Sequence, residues 1–184
     1  SNGDFNKSMN ATLGVANELG TSVQSVAEEA SRLVQLAPKT IPDYKTSLKF
    51  IRLLDMDMIS TGADTSEVAS VMHQVTQALG KGVVNGDELN SIIENSPQIA
   101  QLLADHLHVS VGELKELGAA GRVSGNDLRD SVLENADFIE KQFEKMPQTA
   151  DRAATMVANI FQIKASQAAI DISTNIGEGL KGLT

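Results

Sequence analysis

Two histidines stand two residues apart in the segment LLADHLHVSVGELKELGAAGRVS, and histidine is a common protein ligand of zinc. On a helix, residues two apart point about 200° away from each other. His106 and His108 could therefore reach one ion only if a helix ended between them, with Asp105 or the distant His73 as third ligand. A histidine at a helix end also suits the helix dipole. We predict two polar residues at a helix end and no metal site.

The same segment has the outline of a helix-turn-helix that reads DNA. Ala104 lies where the first helix would pack closely, Val109 and Ser110 mark a turn, and Ser110 with Glu113 forms a capping box. Residues 98–122 carry three acids and two bases, which gives a net charge of -1. A DNA reader needs Lys or Arg against the phosphates. The charge favours a capped helix junction over a nucleic-acid partner.

The stretch VNGDELNS resembles the beginning of a calcium-binding loop. It lacks the alternating oxygen ligands and the glutamate that should follow them. Gly86 is better interpreted as a turn before a helix, whose first residues Asp87 and Glu88 favour the positive end of the dipole. No Ser/His/Asp set stands out, so we predict no catalytic, cofactor-binding or metal-binding residue and no enzyme. A carboxylate pair of the lysozyme type stays open.

The composition excludes several classes of protein. The chain has 184 residues, of which 41% are hydrophobic and 3% aromatic, so its core must be aliphatic. The net charge of -9 argues against nucleic acid and anionic membrane surfaces as partners. There is no Cys, so neither a disulfide framework nor a thiolate zinc site can form. No apolar run is long enough to predict a membrane-spanning helix.

Helical periodicity positions these features. A first helical segment, with a break near Gly20 and a capping box of Thr21 and Gln24, has apolar residues in steps of three and four, which is a heptad seam. The seam consists of Ala16, Leu19, Val23, Val26, Ala30, Leu33 and Ala37. Both a helix packed on its own domain and an intermolecular coiled coil fit this pattern.

Three more helices follow from the same periodicity. One covers residues 43–59 and a second covers 65–79, capped by Asp64 or Thr65. Their predicted inward residues are Leu48, Ile51, Leu54 and Met58, then Val68, Val71 or Met72, Val75 and Leu79. The last helix starts around Pro147, where Thr149 is nearby, and runs to about Ile176. Its apolar stripe is Ala154, Val157, Phe161, Ala165, Ala168 and Ile172.

One unit is used twice, about 40 residues apart. Residues 84–89 match 123–128, and with one inserted residue 92–95 match 132–135; Ile99 falls on Ile139. The predicted fold class is all-α: a compact multi-helix domain of short helices, with two pseudo-repeats, flanked by longer amphipathic helices.

The predicted organisation has four parts. Residues 1–2 resemble a cloning remnant, 3–60 form flanking helices, and 61–148 form the compact helical block. Residues 149–184 form a C-terminal flanking helix and a frayed tail. Glycine disfavours helix, and the tail contains Gly177, Gly179 and Gly182.

The block from Gly62 to Ile163 resembles the N-terminal region of bacteriophage tail tape measure proteins. VVNGDELNSIIENSPQIAQLLADHLHVSVGELKELGAAGRVS is similar to that family's order of a glycine turn, Gly-x-Glu-Leu, a Pro-initiated helix, Val-Ser-x-Gly-x-Leu and a second glycine turn. NDLRDSVLENADFIEKQFEKMPQTADRA is similar to its segment leading to Phe and then Met-Pro-x-Thr. The upstream TGADTSEVASVMHQVTQAL and helix-rich flanks agree. His106-Leu107-His108 departs from the Gly-Val-Ser usual at this turn, which leaves the turn conformation open.

The resemblance implies a structural protein of the tail, which runs along the lumen, sets tail length during assembly and leaves through the tail at infection. The implied partners are the tail tube, the tail tip and assembly chaperones, with homo-oligomers possible and no small-molecule substrate. The implied locations are the virion and, during assembly, the host cytoplasm. The flanking helices, Ala16–Ala37 and Ala154–Ile172, would suit continuation into long helices. The alternatives are a helix-turn-helix-like DNA-binding regulator and a tail-associated cell-wall hydrolase module.

Overall fold

The computed structural model describes residues 2–147, 149–150 and 152–165. Within these residues the chain is helical and the predicted all-α class is confirmed. The helices are α1 Asn2–Leu19, α2 Val23–Leu36, α3 Tyr44–Ser60, α4 Thr65–Lys81, α5 Gly86–Asn95, α6 Pro97–His106, α7 Val111–Ala119, α8 Gly125–Glu134, α9 Ala136–Glu144 and α10, residues 150 and 152–165.

The break between α1 and α2 lies at Gly20, as predicted, but the predicted capping box of Thr21 and Gln24 is wrong. Gly20 has a φ of +69°, the left-handed conformation that ends helices. The amide of Thr21 donates to the carbonyl of Ala16 over 3.0 Å, so Thr21 still belongs to the end of α1. Ser22 is therefore the first residue free to cap α2, and its hydroxyl accepts from the amide of Ser25 over 3.0 Å.

The heptad seam of α1 and α2 packs inside the domain. Its residues are buried except for half-buried Val23, and Ala30 and Leu33 are completely inaccessible. Both helices pack against α3, so of the two alternatives the described residues show a helix pair packed on its own domain.

Helix α3 is the centre of the fold and packs against α1, α2, α4, α6, α8 and α9. The predicted inward residues Leu48, Ile51, Leu54 and Met58 are buried. Phe50, Leu53 and Met56 are buried as well, so α3 is apolar on nearly every side, as expected of a helix inside a core. One hydrophobic cluster runs from Val15 to Phe143. Residues 3–60 and 61–148 therefore share a core, and their division into separate parts stays a prediction.

Helix α4 is capped by Asp64, one of the two predicted residues. The carboxylate of Asp64 accepts from the amide of Glu67, whose side chain accepts from the amide of Asp64 in return. Val71, Met72, Val75 and Leu79 are buried, and Val68 is half-buried.

The two pseudo-repeats meet at their first turns. The amide of Val84 donates to the carbonyl of Val123 over 2.9 Å, and the amide of Gly125 donates to the carbonyl of Gly82 over 2.9 Å. These bonds flank an isolated antiparallel bridge between Val83 and Ser124. The aligned apolar pairs Val84 and Val123, Leu89 and Leu128, Ile92 and Val132, and Ile99 and Ile139 are all buried. Equivalent positions of the two units thus serve the same core.

Candidate functional site

His73 lies on α4, whereas His106 and His108 lie at the end of α6 and in the turn that follows it. His106 ends α6, with its Nδ1 3.2 Å from an Oε2 of Glu134 on α8. His73 lies on α4, where its Nε2 is 2.9 Å from the amide nitrogen of Gln77. Asp105 accepts a hydrogen bond from Gln101 over 2.8 Å. Among the described residues, no group of three His, Asp or Glu side chains is arranged to hold a metal ion.

The turn at His108 has the left-handed backbone conformation. The departure of this residue from the family pattern had left the conformation undecided. Its φ is +57°, which glycine adopts without cost and other residues rarely adopt. The amide of His108 donates to the carbonyl of Asp105, and that of Val109 donates to the carbonyl of Ala104, both over 3.0 Å. These bonds close the end of α6 in the way a left-handed glycine would.

The junction of α6 and α7 is the predicted capping box. The amide of Glu113 donates to the hydroxyl of Ser110 over 3.2 Å, and Glu113 accepts from the amide of Ser110 over 2.8 Å. Hydrogen bonds from the backbone and hydroxyl of Ser110 lower the pKa of Glu113. Leu114 and Gly118 turn toward α5, where a Cβ at Gly118 would lie 2.4 Å from a methyl of Leu89. The exposed side of α7 carries Glu113, Lys115 and Glu116, which does not suit a phosphate backbone.

The stretch VNGDELNS contains the start of α5, and its second acidic residue, Glu88, makes a contact between helices. Glu88 is buried and forms an ion pair with Lys81 near the end of α4. Burial by itself would raise the pKa of Glu88, but Lys81 and the backbone amides at the start of α5 together lower it. This glutamate joins the end of α4 to the first turn of α5.

Helix α10 docks on the turn between α1 and α2 through polar side chains. The guanidinium of Arg152 lies 4.6 Å over the ring of Phe143 and donates from Nη2 to the carbonyl of Glu18 over 2.6 Å. Thr149 accepts from the amide of Arg152 over 3.3 Å and so caps this helix. The predicted start around Pro147 is therefore two residues early.

Asn159 is the buried anchor of this contact, with 2% of its surface exposed. Its Nδ2 donates to the carbonyl of Thr21 over 2.8 Å and to the side-chain oxygen of Asn17 over 3.2 Å. Its Oδ1 accepts from the amide of Val23 over 3.3 Å. Asn159 therefore forms hydrogen bonds with backbone groups that have no partner inside a helix because the chain breaks between α1 and α2.

The apolar stripe of the last helix exists but faces away from the core. Val157 is 54% exposed and Phe161 is 73% exposed, while their neighbour Ile160 is 44% exposed. Ala154 and Ala165 are exposed as well. Ala168 and Ile172, like the glycines of the predicted frayed tail, lie outside the described residues. Periodicity identified this stripe, but the contacts of Arg152 and Asn159 decide which side of α10 meets the domain.

Sequence reasoning missed two buried carboxylates on α3. Asp55 is 5% exposed and Asp57 is fully buried. Oδ2 of Asp57 accepts from the hydroxyl of Ser96 over 2.7 Å. Oδ1 of each aspartate is buried and has no hydrogen-bond partner among the described residues. Burial raises the pKa of Asp57 to about 6 and that of Asp55 well above its usual value. The available signal was LLDMDMI, in which two acids interrupt an apolar run.

The family comparison covers nearly the whole chain. A family model described as "Tape measure protein" matches residues 1–169. The chain belongs to the tape measure protein family. The match includes the block from Gly62 to Ile163 that carried the resemblance and extends past it on both sides. No curated protein and no solved structure matches the chain.

Membership gives this tape measure chain a structural role in a phage tail. The residues with possible chemistry fit that role, since His106, Ser110 and Glu88 all serve helix ends or contacts between helices. Among the described residues, no helix combines the length and the hydropathy that a membrane crossing needs.

Proposed function

We propose that this chain is a folded structural part of the tape measure protein that sets tail length during assembly, and that it acts by contact and without catalysis. Two observations support the proposal. The family match covers residues 1–169. Phe161 on α10 is 73% exposed, more than any other large hydrophobic residue among those that the structure describes. The places of action would be the virion tail and, while tails assemble, the host cytoplasm.

The outward stripe of α10 is the observation that carries the contact. Val157, Ile160 and Phe161 expose apolar surface to water, which is unfavourable unless a partner covers it. Aromatic residues are enriched at protein interfaces. No acid stands between Arg152 and Lys164, so this part of an otherwise acidic chain would not repel an acidic partner. We infer that the stripe contacts tail proteins, namely the tube, the tip or the assembly chaperones. Association between copies of the chain stays a prediction.

The test places charge on the stripe in the complete protein, within the phage that encodes it. The double variant Val157→Asp/Phe161→Asp should leave the domain folded, because both side chains are exposed and outside the core. We expect the yield of complete tails, counted by electron microscopy, to fall at least tenfold because two carboxylates would be buried without partners at the interface.

Phe138→Asp is the matched control, since Phe138 is an aromatic on α9 that is 43% exposed. Tails should form normally with this variant. Equal tail yields for the control and the stripe variant would contradict the proposed contact. Hydrolysis of cell wall by this chain would contradict a function without catalysis.

A further inference from the structure

Helix α3 holds two carboxylates inside the fold without a compensating cation. Asp55 and Asp57 are two residues apart and lie on different sides of the helix, and neither forms an ion pair within the described residues. A buried carboxylate without a partner strongly disfavours its own charged form.

Asp55 lines an open cleft of about 440 Å³ between the end of α1, the start of α4 and the last helix. The charged groups that share this cleft are Asp64 and Arg152. The guanidinium of Arg152 is directed to Phe143 and to the carbonyl of Glu18, and its Nε is buried with no hydrogen-bond partner in the part of the chain that the structure describes. Glu29 of α2 adds a like charge to Asp55.

Asp57 faces the junction of α5 and α6. Its partner there is the hydroxyl of Ser96, and the amide of Gln98 lies near without a well-formed hydrogen bond. Among the residues that the structure describes, the groups that act on the pKa of Asp57 are the uncharged side chains of Ser96 and Gln98. The hydroxyl of Ser96 can donate to either form of the carboxyl group, so protonation need not break this contact.

We propose that Asp55 and Asp57 form a pH-sensitive element in α3 that loosens the fold when both are charged and tightens it when each carries a proton. Since α3 contacts most of the other helices, a loss of charge in its C-terminal third acts on much of the core. The element is a property of these residues and does not depend on which tail protein the chain contacts.

The direction of the pH effect on stability depends on whether the folded or the unfolded chain binds the proton more tightly. Burial raises the pKa of Asp57 from 3.8 to about 6, so the folded chain holds the proton more tightly than the unfolded chain does. The stabilisation is present at low pH and is lost as pH rises through about 6. Between pH 7.5 and 5.5 this group alone should increase the folding equilibrium constant about fourfold. Asp55, whose pKa is raised in the same direction, adds to the effect.

The experiment compares denaturant unfolding at pH 7.5 and 5.5 for the wild-type chain and for Asp55→Asn/Asp57→Asn. Asparagine keeps the shape of the aspartate side chain and removes its charge. The increase in the folding equilibrium constant from pH 7.5 to 5.5 should therefore be at least fourfold smaller in the double variant than in the wild-type chain. Glu116→Gln removes an exposed acid of α7 and should keep the wild-type response. Apart from the substituted residues the three proteins have the same sequence, so the comparison isolates Asp55 and Asp57.

A double variant with the full wild-type response would overturn the proposal. If the double variant does not fold, the single variants and the carboxyl ¹³C shifts of the wild-type chain decide the question. Titration midpoints of Asp55 and Asp57 above pH 5.5 support the element, and midpoints near pH 4 overturn it.

Discussion

The first and last helical segments carry similar apolar stripes, and the fold uses them in opposite ways. The seam of α1 and α2 is buried against α3, and Leu33 has no exposed surface. The stripe of α10 faces water, and Phe161 is 73% exposed. On the inner side of α10 lie Arg152 and Asn159, seven residues apart and so on one face of the helix. Spacing in threes and fours therefore marks a face of a helix without saying what covers it.

The largest expected effect is a difference in the free energy of unfolding between variants of the two stripes. Leu33→Ala should lower the free energy of unfolding by about 2–5 kcal/mol, because it leaves a cavity in a close-packed core. Phe161→Ala removes a larger side chain, but from an exposed position, and should change that free energy by no more than about 0.5 kcal/mol. Urea unfolding measured by circular dichroism checks both values. A loss of stability in Phe161→Ala as large as that in Leu33→Ala would mean that α10 is turned the other way.

A smaller effect tests how α10 is held. Gly20→Ala places a Cβ 2.6 Å from Cγ of Arg152 and also strains a backbone with φ of +69°. Gly121→Ala is the matched control, because Gly121 has a φ of +64° and nothing within 4 Å of the new Cβ. The backbone strain, about 1–2 kcal/mol, should be common to both variants. We expect Gly20→Ala to lose about 1 kcal/mol more, since the cation–π contact over Phe143 and its packing must shift.

Hydrogen exchange of α10 provides the second readout for this pair of variants. Gly20→Ala should speed exchange in residues 152–165, whereas Gly121→Ala should leave it unchanged. Equal stabilities and equal exchange for the two variants would show that Arg152 contributes nothing to the docking of α10.

Local rules predicted much of this fold. The break at Gly20, the caps at Asp64 and Ser110, and the buried positions of α3 follow from residue type and spacing. The cap of α2 was placed one residue early because Thr21 takes part in closing α1, which depends on hydrogen bonding rather than on residue type. The repeat was visible in the sequence, but its pairing through Val84 and Val123 was not.

What the sequence did not predict depends on contacts between distant segments. Asn159 is an ordinary helix residue until Thr21 and Val23 present their backbone groups to it, 138 and 136 residues away along the chain. Asp57 is one acid among 24 Asp and Glu until the turn at Ser96 covers it. The run LLDMDMI indicates that acids lie in an apolar helix, but the partners of Asn159 and Asp57 have no local signature, because the tertiary fold brings these groups together.

The chain has no cysteine, which makes thiol labelling the most direct measurement of the central contrast. Single variants Ala30→Cys and Val157→Cys, at low protein concentration, should differ greatly in their rate of reaction with a maleimide. The thiol at position 157, where the native side chain is 54% exposed, should react close to the rate in the unfolded chain. The thiol at position 30, which is fully buried, should react only through unfolding. Protection at position 157 equal to that at position 30 would contradict the outward orientation of α10.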